Sequence, residues 1–190
     1  MENKAVGFAL CGSFCTFSKV LPEIEKLTLS GYDVFPIMSH AAFTTDTRFG
    51  KAEDFISKIE NICNKKVIST IYEAEPIGPK KLLDALIIAP CTGNTIAKLA
   101  CGICDTSVTM AAKAHLRNAR PLIIAVSTND GLGMNMKNIG TLSAVKNIFF
   151  VPYGQDDCRG KPNSLVADMT KIPETLESAL SKSQIQPVLV

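Results

Sequence analysis

Residues 85–98 read ALIIAPCTGNTIAK. Five consecutive apolar residues, 85–89, stop at Pro90, and Cys91, Thr92, Gly93, Asn94 and Thr95 follow before apolar residues return as Ile96, Leu99 and Ala100. A short unbroken aliphatic run is the pattern of a strand buried on both faces, and the spacing of Ile96, Leu99 and Ala100 is that of one helical stripe. Between the two, hydroxyls and amides stand where a strand hands over to a helix N-terminus. The stretch reads as half of a βαβ unit, with Pro90 expected to end the strand and residues 92–94 expected to form a polar, flexible loop.

The same alternation extends in both directions. Residues 6–10, 34–38, 122–126 and 148–151 are short runs rich in Ile, Val, Leu and Phe, and residues 67–71 are a weaker strand candidate. Between them Val20, Ile24 and Leu27 keep an i, i+4, i+7 spacing, as do Phe55, Ile59 and Ile62, so each intervening segment offers one apolar stripe to a sheet. Gly31 is expected to stop the first helix, and Pro173 to open the last, whose apolar face includes Leu176 and Leu180. Strands alternating with helices through right-handed crossovers predict a doubly wound α/β fold. It has three layers, Rossmann-like and of the flavodoxin type, with a mostly parallel sheet and helices on both faces. At 190 residues the chain fits one domain spanning 1–190, with residues from about 183 to 190 expected to be a flexible tail.

Composition excludes several classes of function. Hydrophobic residues make up 46% and charged residues 20%, and the net charge of +2 comes from interspersed acids and bases, so no basic footprint for nucleic acid exists. The apolar runs are too short to cross a bilayer, and Met1-Glu2-Asn3-Lys4 leads directly into a strand without the layout of a signal peptide, so a cytoplasmic protein with no membrane partner is expected. Seven cysteines, an odd number scattered through apolar segments, are expected to be reduced.

Ligands in open α/β sheets bind outside the carboxyl ends of the strands, and four such ends carry unusual residues. After the first strand come Cys11, Gly12, Ser13, Phe14, Cys15 and Thr16: a glycine that permits a tight turn and hydroxyls beside a helix N-terminus, suited to a phosphate or to an ordinary serine cap. Ser39, His40, Ala41 and Ala42 follow the second strand, where a lone serine is usually only a cap. Thr92 to Thr95 follow the third, and Ser127, Thr128, Asn129, Asp130 and Gly131 the fourth. Several polar strand ends facing one crevice point to a small phosphorylated ligand. Cys101-Gly-Ile-Cys104 has the spacing of a redox pair or of half a zinc site with Cys11 and Cys15 as partners, but no second CxxC or His pair at ligand spacing accompanies it, so buried structural thiols are the simpler account and no metal is expected. His115 reads as structural, and His40, at a strand end, as a ligand candidate.

These residues carry a resemblance. Gly12-Ser13 after strand one, Ser39 to Ala42 after strand two, the run Ala-Pro-Cys-Thr-Gly-Asn-Thr-Ile-Ala-Lys at 89–98 and the pair Gly102 and Asp105 resemble the motifs of the flavin-containing cysteine decarboxylases and the flavin prenyltransferases, over about residues 5–180. The family reads Ala where this chain has Cys91 and Gly93. The resemblance implies flavin mononucleotide (FMN) as cofactor, with Gly12, Ser13, Ser39, Pro90, Thr92, Gly93, Asn94 and Thr95 as its binding residues, and it implies a homo-oligomer. It also marks departures. The decarboxylases read Pro-Ala-Met-Asn where this chain reads Val126-Ser127-Thr128-Asn129, so only Asn129 is kept; and Cys158 takes the place of the catalytic cysteine within a rewritten loop containing Asp156, Asp157 and Arg159. Cys158, Asn129 and His40 are the catalytic candidates, none with an assigned role.

Residues 151–167, VPYGQDDCRGKPNSLVA, and 38–49, MSHAAFTTDTRF, are similar to a branch of that family in spore-forming bacteria whose members are one of two subunits of a dipicolinate-forming oxidoreductase. What that similarity implies is an oxidation of a dihydrodipicolinate-level precursor to pyridine-2,6-dicarboxylate during sporulation, in the mother-cell cytoplasm, with an A subunit that binds NADP. A small dicarboxylate calls for basic partners, and Arg48, Arg159 and Lys161 are the candidates. Two other readings stay open: a flavin-dependent decarboxylase or prenyltransferase, and a non-redox binding subunit with a vestigial flavin pocket.

Overall fold

The computed structural model describes residues 3–190. In chain order the elements are β1 (Ala5–Leu10), α1 (Phe17–Leu29), β2 (Asp33–Met38), α2 (His40–Thr44), α3 (Ala52–Cys63), α4 (Ile71–Ala74), β3 (Ala85–Cys91), α5 (Gly93–Ala100), α6 (Ser107–Leu116), β4 (Leu122–Thr128), α7 (Met136–Ser143), β5 (Ile148–Phe150), β6 (Tyr153–Asp157), β7 (Lys161–Ala167) and α8 (Ile172–Leu180). Five strands are parallel in the order β2-β1-β3-β4-β5, the flavodoxin order, with its switch point between β1 and β3. Helices cover both faces, one group built around α1, α3 and α8 and the other around α4, α5, α6 and α7.

The sheet forms the core because its strands have no polar face. All seven residues of β3 are buried, and Leu86, Ile87 and Ile88 are fully so, which contributes about 1.5–3 kcal/mol for each side chain removed from water. Helix α1 buries Phe17, Val20, Leu21, Ile24 and Leu27, the expected stripe. It ends where expected as well. Gly31 takes φ +88°, its N–H donates to the Thr28 carbonyl and that of Tyr32 to the Leu27 carbonyl, which satisfies the last turn of the helix.

Four expectations are corrected. Pro90 does not end its strand: β3 runs on to Cys91, which pairs with Val126 after an irregularity that begins at Ile88, and the missing N–H of a proline is harmless where the ladder is broken. Residues 92–94 are no flexible loop, because Thr92 caps α5 and Gly93 and Asn94 form its first turn. The weak strand candidate at 67–71 reduces to Ile68, which exchanges two bonds with β2 (Ile68 N–H to the Pro36 carbonyl and Met38 N–H to the Ile68 carbonyl, each 2.9 Å) before Thr70 caps α4. The tail expected to be loose is tied down instead. Tyr153 N–H donates to the Val188 carbonyl and Val190 N–H to the Tyr153 carbonyl, and the Gln184 side chain bonds both the N–H and the carbonyl of Phe150.

The sheet also carries an antiparallel part that the sequence pattern does not announce. β6 and β7 form a hairpin, and Leu165 and Val166 of β7 pair with Thr128 and Ser127 at the carboxyl end of β4. β4 therefore shares one edge between β5 along its first half and β7 along its last residues. The hairpin is thereby held beside the crevice at the carboxyl ends of the parallel strands. No helix among the described residues is long and apolar enough to cross a membrane.

Candidate functional site

The carboxyl ends of β1, β3 and β4 open into a cavity of about 720 Å³, inside the size range of small-molecule sites. Its walls come from four places: the turn after β1 and the start of α1 (Gly12 to Thr16, Lys19), the start of α5 (Thr92, Gly93, Asn94), the loop after β4 (Ser127 to Asp130, Asn135), and the hairpin (Asp156, Lys161, Ser164, Val166). Phe49, from the loop between α2 and α3, completes the rim.

Each wall has a local reason. After β1 the chain reverses tightly, with Ser13 N–H on the Cys11 carbonyl at 2.8 Å and Thr16 N–H on the Ser13 carbonyl at 3.0 Å, and Cys11 N–H on the Pro90 carbonyl at 3.2 Å ties this turn to β3. That geometry brings three hydroxyls into a closed triangle: Ser13 to Ser127 at 2.8 Å, Ser13 to Thr16 at 3.1 Å and Thr16 to Ser127 at 3.1 Å. Thr16 and Ser127 are buried, and Ser13 is the corner that remains half-buried. Three hydroxyls that satisfy one another can turn their protons outward to an incoming oxyanion. Lys19 lies one helical turn beyond Thr16 on the same wall, and among the described residues it has no carboxylate partner, whereas the other lysine of the cavity, Lys161, pairs with Asp156 at 2.9 Å.

The opposite wall is acidic. Asp130 accepts from the Thr128 hydroxyl and from the Asn135 side-chain amide, the latter at 2.9 Å on each carboxylate oxygen, and these bonds, that of Thr128 foremost, hold its carboxyl below the usual range, so it is ionised at neutral pH. The cluster leans on Gly93. A Cβ there would lie 2.5 Å from Asn135 Nδ2, 2.5 Å from Thr128 Oγ1 and 2.8 Å from Asp130 Oδ1. An internal anion thus stands at the N-terminus of α5, where the helix dipole favours negative charge.

Of the catalytic, cofactor-binding and substrate-binding candidates, the cavity brings together Gly12, Ser13, Thr92, Gly93, Asn94, Asn129 and Lys161, and with them the strand-end residues Phe14, Cys15, Thr16, Ser127, Thr128 and Asp130. The remaining candidates lie outside its walls. Ser39 spends its hydroxyl on the Ala42 N–H as cap of α2, and His40 is exposed as the first residue of that helix. Pro90 is buried within β3, and Thr95 is turned inward, its hydroxyl donating to the Cys11 thiol at 3.2 Å. Burial pushes that thiol up to about 11, so Cys11 is an inert core group. Arg48, Cys158 and Arg159 are exposed. The last two sit in the hairpin turn, which Asp157 holds by accepting from Arg159 N–H at 3.1 Å and Gly160 N–H at 2.9 Å.

Cys101 and Cys104 are at the far end of α5 from the cavity. Gly102 there takes φ +70° and closes the helix through Ile103 N–H to the Lys98 carbonyl at 2.8 Å, so the CxxC spans a helix C-terminus and lacks the N-terminal dipole that activates such thiols. It meets neither Cys11 nor Cys15, and among the described residues no group of three or more His, Cys, Asp or Glu could hold a metal ion. Sequence reasoning missed Lys19, Phe49, Asn135, Ser164 and Val166. Lys19 had a signal, its i+3 spacing from Thr16, while Ser164 and Val166 reach the site only through the unannounced pairing of β7 with β4.

The donor set fits a phosphate-bearing planar group. A hydroxyl triangle and a free lysine suit an anion, the Asn94 and Asn129 amides suit a polyol or ring edge, and Phe14 and Val166 give the apolar surface a ring needs. Comparison with known proteins agrees with the fold. The Flavoprotein family model matches residues 1–178. The B subunit of dipicolinate synthase from Bacillus subtilis (strain 168) is 47% identical over 190 residues, 100% of this chain and 95% of that protein. The crystal structure of the corresponding B subunit from Bacillus halodurans C superposes with a TM-score of 0.91 at 49% identity, covering 98% of this chain and 96% of that one. More distantly, the FMN complex of Burkholderia xenovorans DmrB shares the fold, with a TM-score of 0.70 at 18% identity over 94% of this chain and 96% of that one. The chain belongs to the flavoprotein family, as a homologue of the dipicolinate synthase B subunit.

Proposed function

We propose that this chain is one subunit of a two-subunit oxidoreductase that forms dipicolinate during sporulation, and that its cavity holds FMN beside the substrate. The observation that carries the reading is the cavity at the carboxyl ends of β1, β3 and β4, with the Ser13–Thr16–Ser127 triangle and Lys19 on one wall and the amides of Asn94 and Asn129 on the others. In this reading the triangle and Lys19 hold the phosphate, Thr92, Gly93 and Asn94 border the ribityl chain, and Phe14 and Val166 exclude water from the ring. A bound flavin would supply hydride or single-electron exchange between the substrate and the NADP of the dipicolinate synthase A subunit. Arg48, Arg159 and Lys161 supply positive charge for the two carboxylates, with Lys161 on the cavity wall and the arginines outside it. The working enzyme is a cytoplasmic complex in which a homo-oligomer of this chain joins the A subunit.

A second reading, a substrate-binding subunit whose flavin pocket is vestigial, draws on Asp130. Its ionised carboxylate already stands at the N-terminus of α5, the place a ligand anion would otherwise take. The decarboxylase reading is weakened by Cys158, which lies in the exposed hairpin turn and off the cavity wall.

The test is the visible absorbance of the purified chain after incubation with FMN and desalting. A retained, protein-shifted flavin band at near-stoichiometric amount is expected, and Ser127→Ala, which opens the hydroxyl triangle, is expected to weaken FMN binding about tenfold, the effect of losing one hydrogen bond to a charged group. A colourless protein would reject the flavin reading and move the redox step to the partner subunit. Equal affinities of the wild type and Ser127→Ala would remove the triangle from the site.

A further inference from the structure

Phe49 is the one large apolar side chain of the cavity rim that stands out into solvent. It is 46% exposed, yet its loop is held rigidly. Thr47 and Gly50 bond each other through their backbones, N–H to carbonyl, at 3.0 and 3.1 Å, and Phe49 N–H donates to the Thr47 hydroxyl at 3.1 Å. Asp46 accepts from Ala52 N–H at 2.9 Å and so fastens the loop to the start of α3. Gly50, at φ +146°, lies against the Phe55 ring, where a Cβ would meet that ring at 2.9 Å, and Phe55 in turn packs edge-on against the buried Phe17 at 5.0 Å between centroids. The loop is thus braced on the core, and its aromatic ring is left uncovered by the core.

One group does approach that ring. The Arg48 guanidinium carbon lies 4.9 Å from the Phe49 centroid, and among the described residues Arg48 pairs with no carboxylate. A cation over a ring face, next to a cavity with free space, combines stacking area with a charge for an acidic substituent. A rigid aromatic also loses little conformational entropy on binding.

We propose that Phe49 and Arg48 form a stacking platform at the cavity mouth that takes a planar nitrogen heteroaromatic ring, the chemistry shared by pyridine-2,6-dicarboxylate, whose ring carries two carboxylates, and by the uncharged flavin ring of FMN. This assigns a specificity-determining residue, Phe49, and it rests on the reading of the cavity given above. Phe49 supplies the face and Arg48 the countercharge, so a ring lacking an acidic group gains only half of the platform.

The sequence provides its own reporter, because the chain contains no Trp and Phe49→Trp introduces a single one. The probes are FMN and pyridine-2,6-dicarboxylate, titrated separately into the full-length wild type, Phe49→Leu and Phe49→Trp, by calorimetry for all three and by tryptophan emission for the last. Thermal melts of the three proteins check that they are equally folded, as expected for an exposed site. For at least one probe, Phe49→Leu is expected to bind about five- to tenfold more weakly than the wild type, and Phe49→Trp at least as tightly, with saturable quenching. The probe that behaves so identifies the ring. Wild-type binding matched by Phe49→Leu, or a Phe49→Trp emission unmoved by a bound probe, overturns the platform alone. A wild type that binds neither probe overturns the platform together with the cavity reading beneath it.

Discussion

Folding stability will fall by about 2.5 kcal/mol between pH 7.5 and pH 4.5 through one residue, His115. The imidazole is 1% exposed, and its Nε2 lies 2.9 Å from the Pro121 carbonyl, which can only accept, so Nε2 carries the proton of the neutral ring, and a second proton would put a charge where water does not reach. Burial lowers its pKa from 6.5 to about 4, with Arg120 adding to the effect and the Pro121 carbonyl and Asp84 opposing it. The ring is therefore neutral in both states above pH 6.5, and below that the unfolded chain takes up a proton that the folded chain refuses. Stability is full above 6.5, is lost progressively as pH falls towards 4, and levels off below. The carboxyls held low in the fold, such as Asp130 and Asp105, lose their contribution only below their own ordinary values, so the window from 7.5 to 4.5 is dominated by the histidine. The check is a series of urea transitions for the wild type and His115→Gln, which keeps a donor for Pro121 and cannot titrate. The glutamine variant should be nearly flat across the window, and parallel curves for the two proteins would refute the assignment.

That histidine shows what is legible in the sequence. It reads as structural because it sits among apolar residues of a helical run, and the fold buries it for the same reason. The parallel strands and α1 are legible because each is a long or unbroken periodic signal: β3 is buried at every position and α1 at every third or fourth. The hairpin is not, because β6 and β7 contain Gly154, Gln155, Asp156, Asp157, Lys161, Pro162 and Asn163, and a strand pair that is polar along most of its length leaves no hydrophobic alternation to read. Hidden with it is a whole wall of the cavity. The tail misleads on similar grounds: Gln184 and Val188 are held through backbone groups of Phe150 and Tyr153, and such bonds leave no trace in composition.

Of the candidate site, the strand ends are legible and the division of labour among their residues is not. Ser13, Ser39, Thr92 and Thr95 all read as hydroxyls near a helix start. The structure spends Ser39 and Thr95 internally, on the Ala42 N–H and the Cys11 thiol, uses Thr92 as the cap of α5 at the cavity wall, and leaves Ser13 uncommitted to any cap on the cavity. Whether a hydroxyl caps its own helix or faces a crevice depends on the strand next to it, and for Ser13 the deciding neighbour is Ser127, 114 positions away. Phe49 belongs to the site for the same kind of reason: it is an ordinary surface residue in sequence, and its loop is placed by Gly50 against Phe55 and Phe55 against Phe17 of α1. Lys19 differs, since its place follows from its helical spacing to Thr16.

The most damaging small change in the site will be Gly93→Ala, with an expected loss of about 2–3 kcal/mol and a measurable loss of ligand binding. The opposite sign would be the ordinary guess. Gly93 is the first residue of α5, and alanine is the better helix former by up to about 1 kcal/mol. Space decides otherwise: the new methyl would lie 2.5 Å from Asn135 Nδ2 and from Thr128 Oγ1 and 2.8 Å from Asp130 Oδ1. Those tips cannot swing away cheaply, because Asn135 bonds both carboxylate oxygens of Asp130 while accepting from the Asn138 amide at 2.9 Å. Pushing the group aside breaks the bonds of the buried Asn135 amide and moves a cavity wall. The resemblance to the decarboxylases puts alanine at this position together with Ala-Met where this chain has Ser127-Thr128. The two departures touch, so the glycine is the space that the polar cluster requires. A double-mutant cycle with Asn135→Ala measures this directly. Gly93→Ala should cost at least about 1 kcal/mol less once the Asn135 amide is gone, whereas an equal cost in both backgrounds would show that the methyl meets no such barrier.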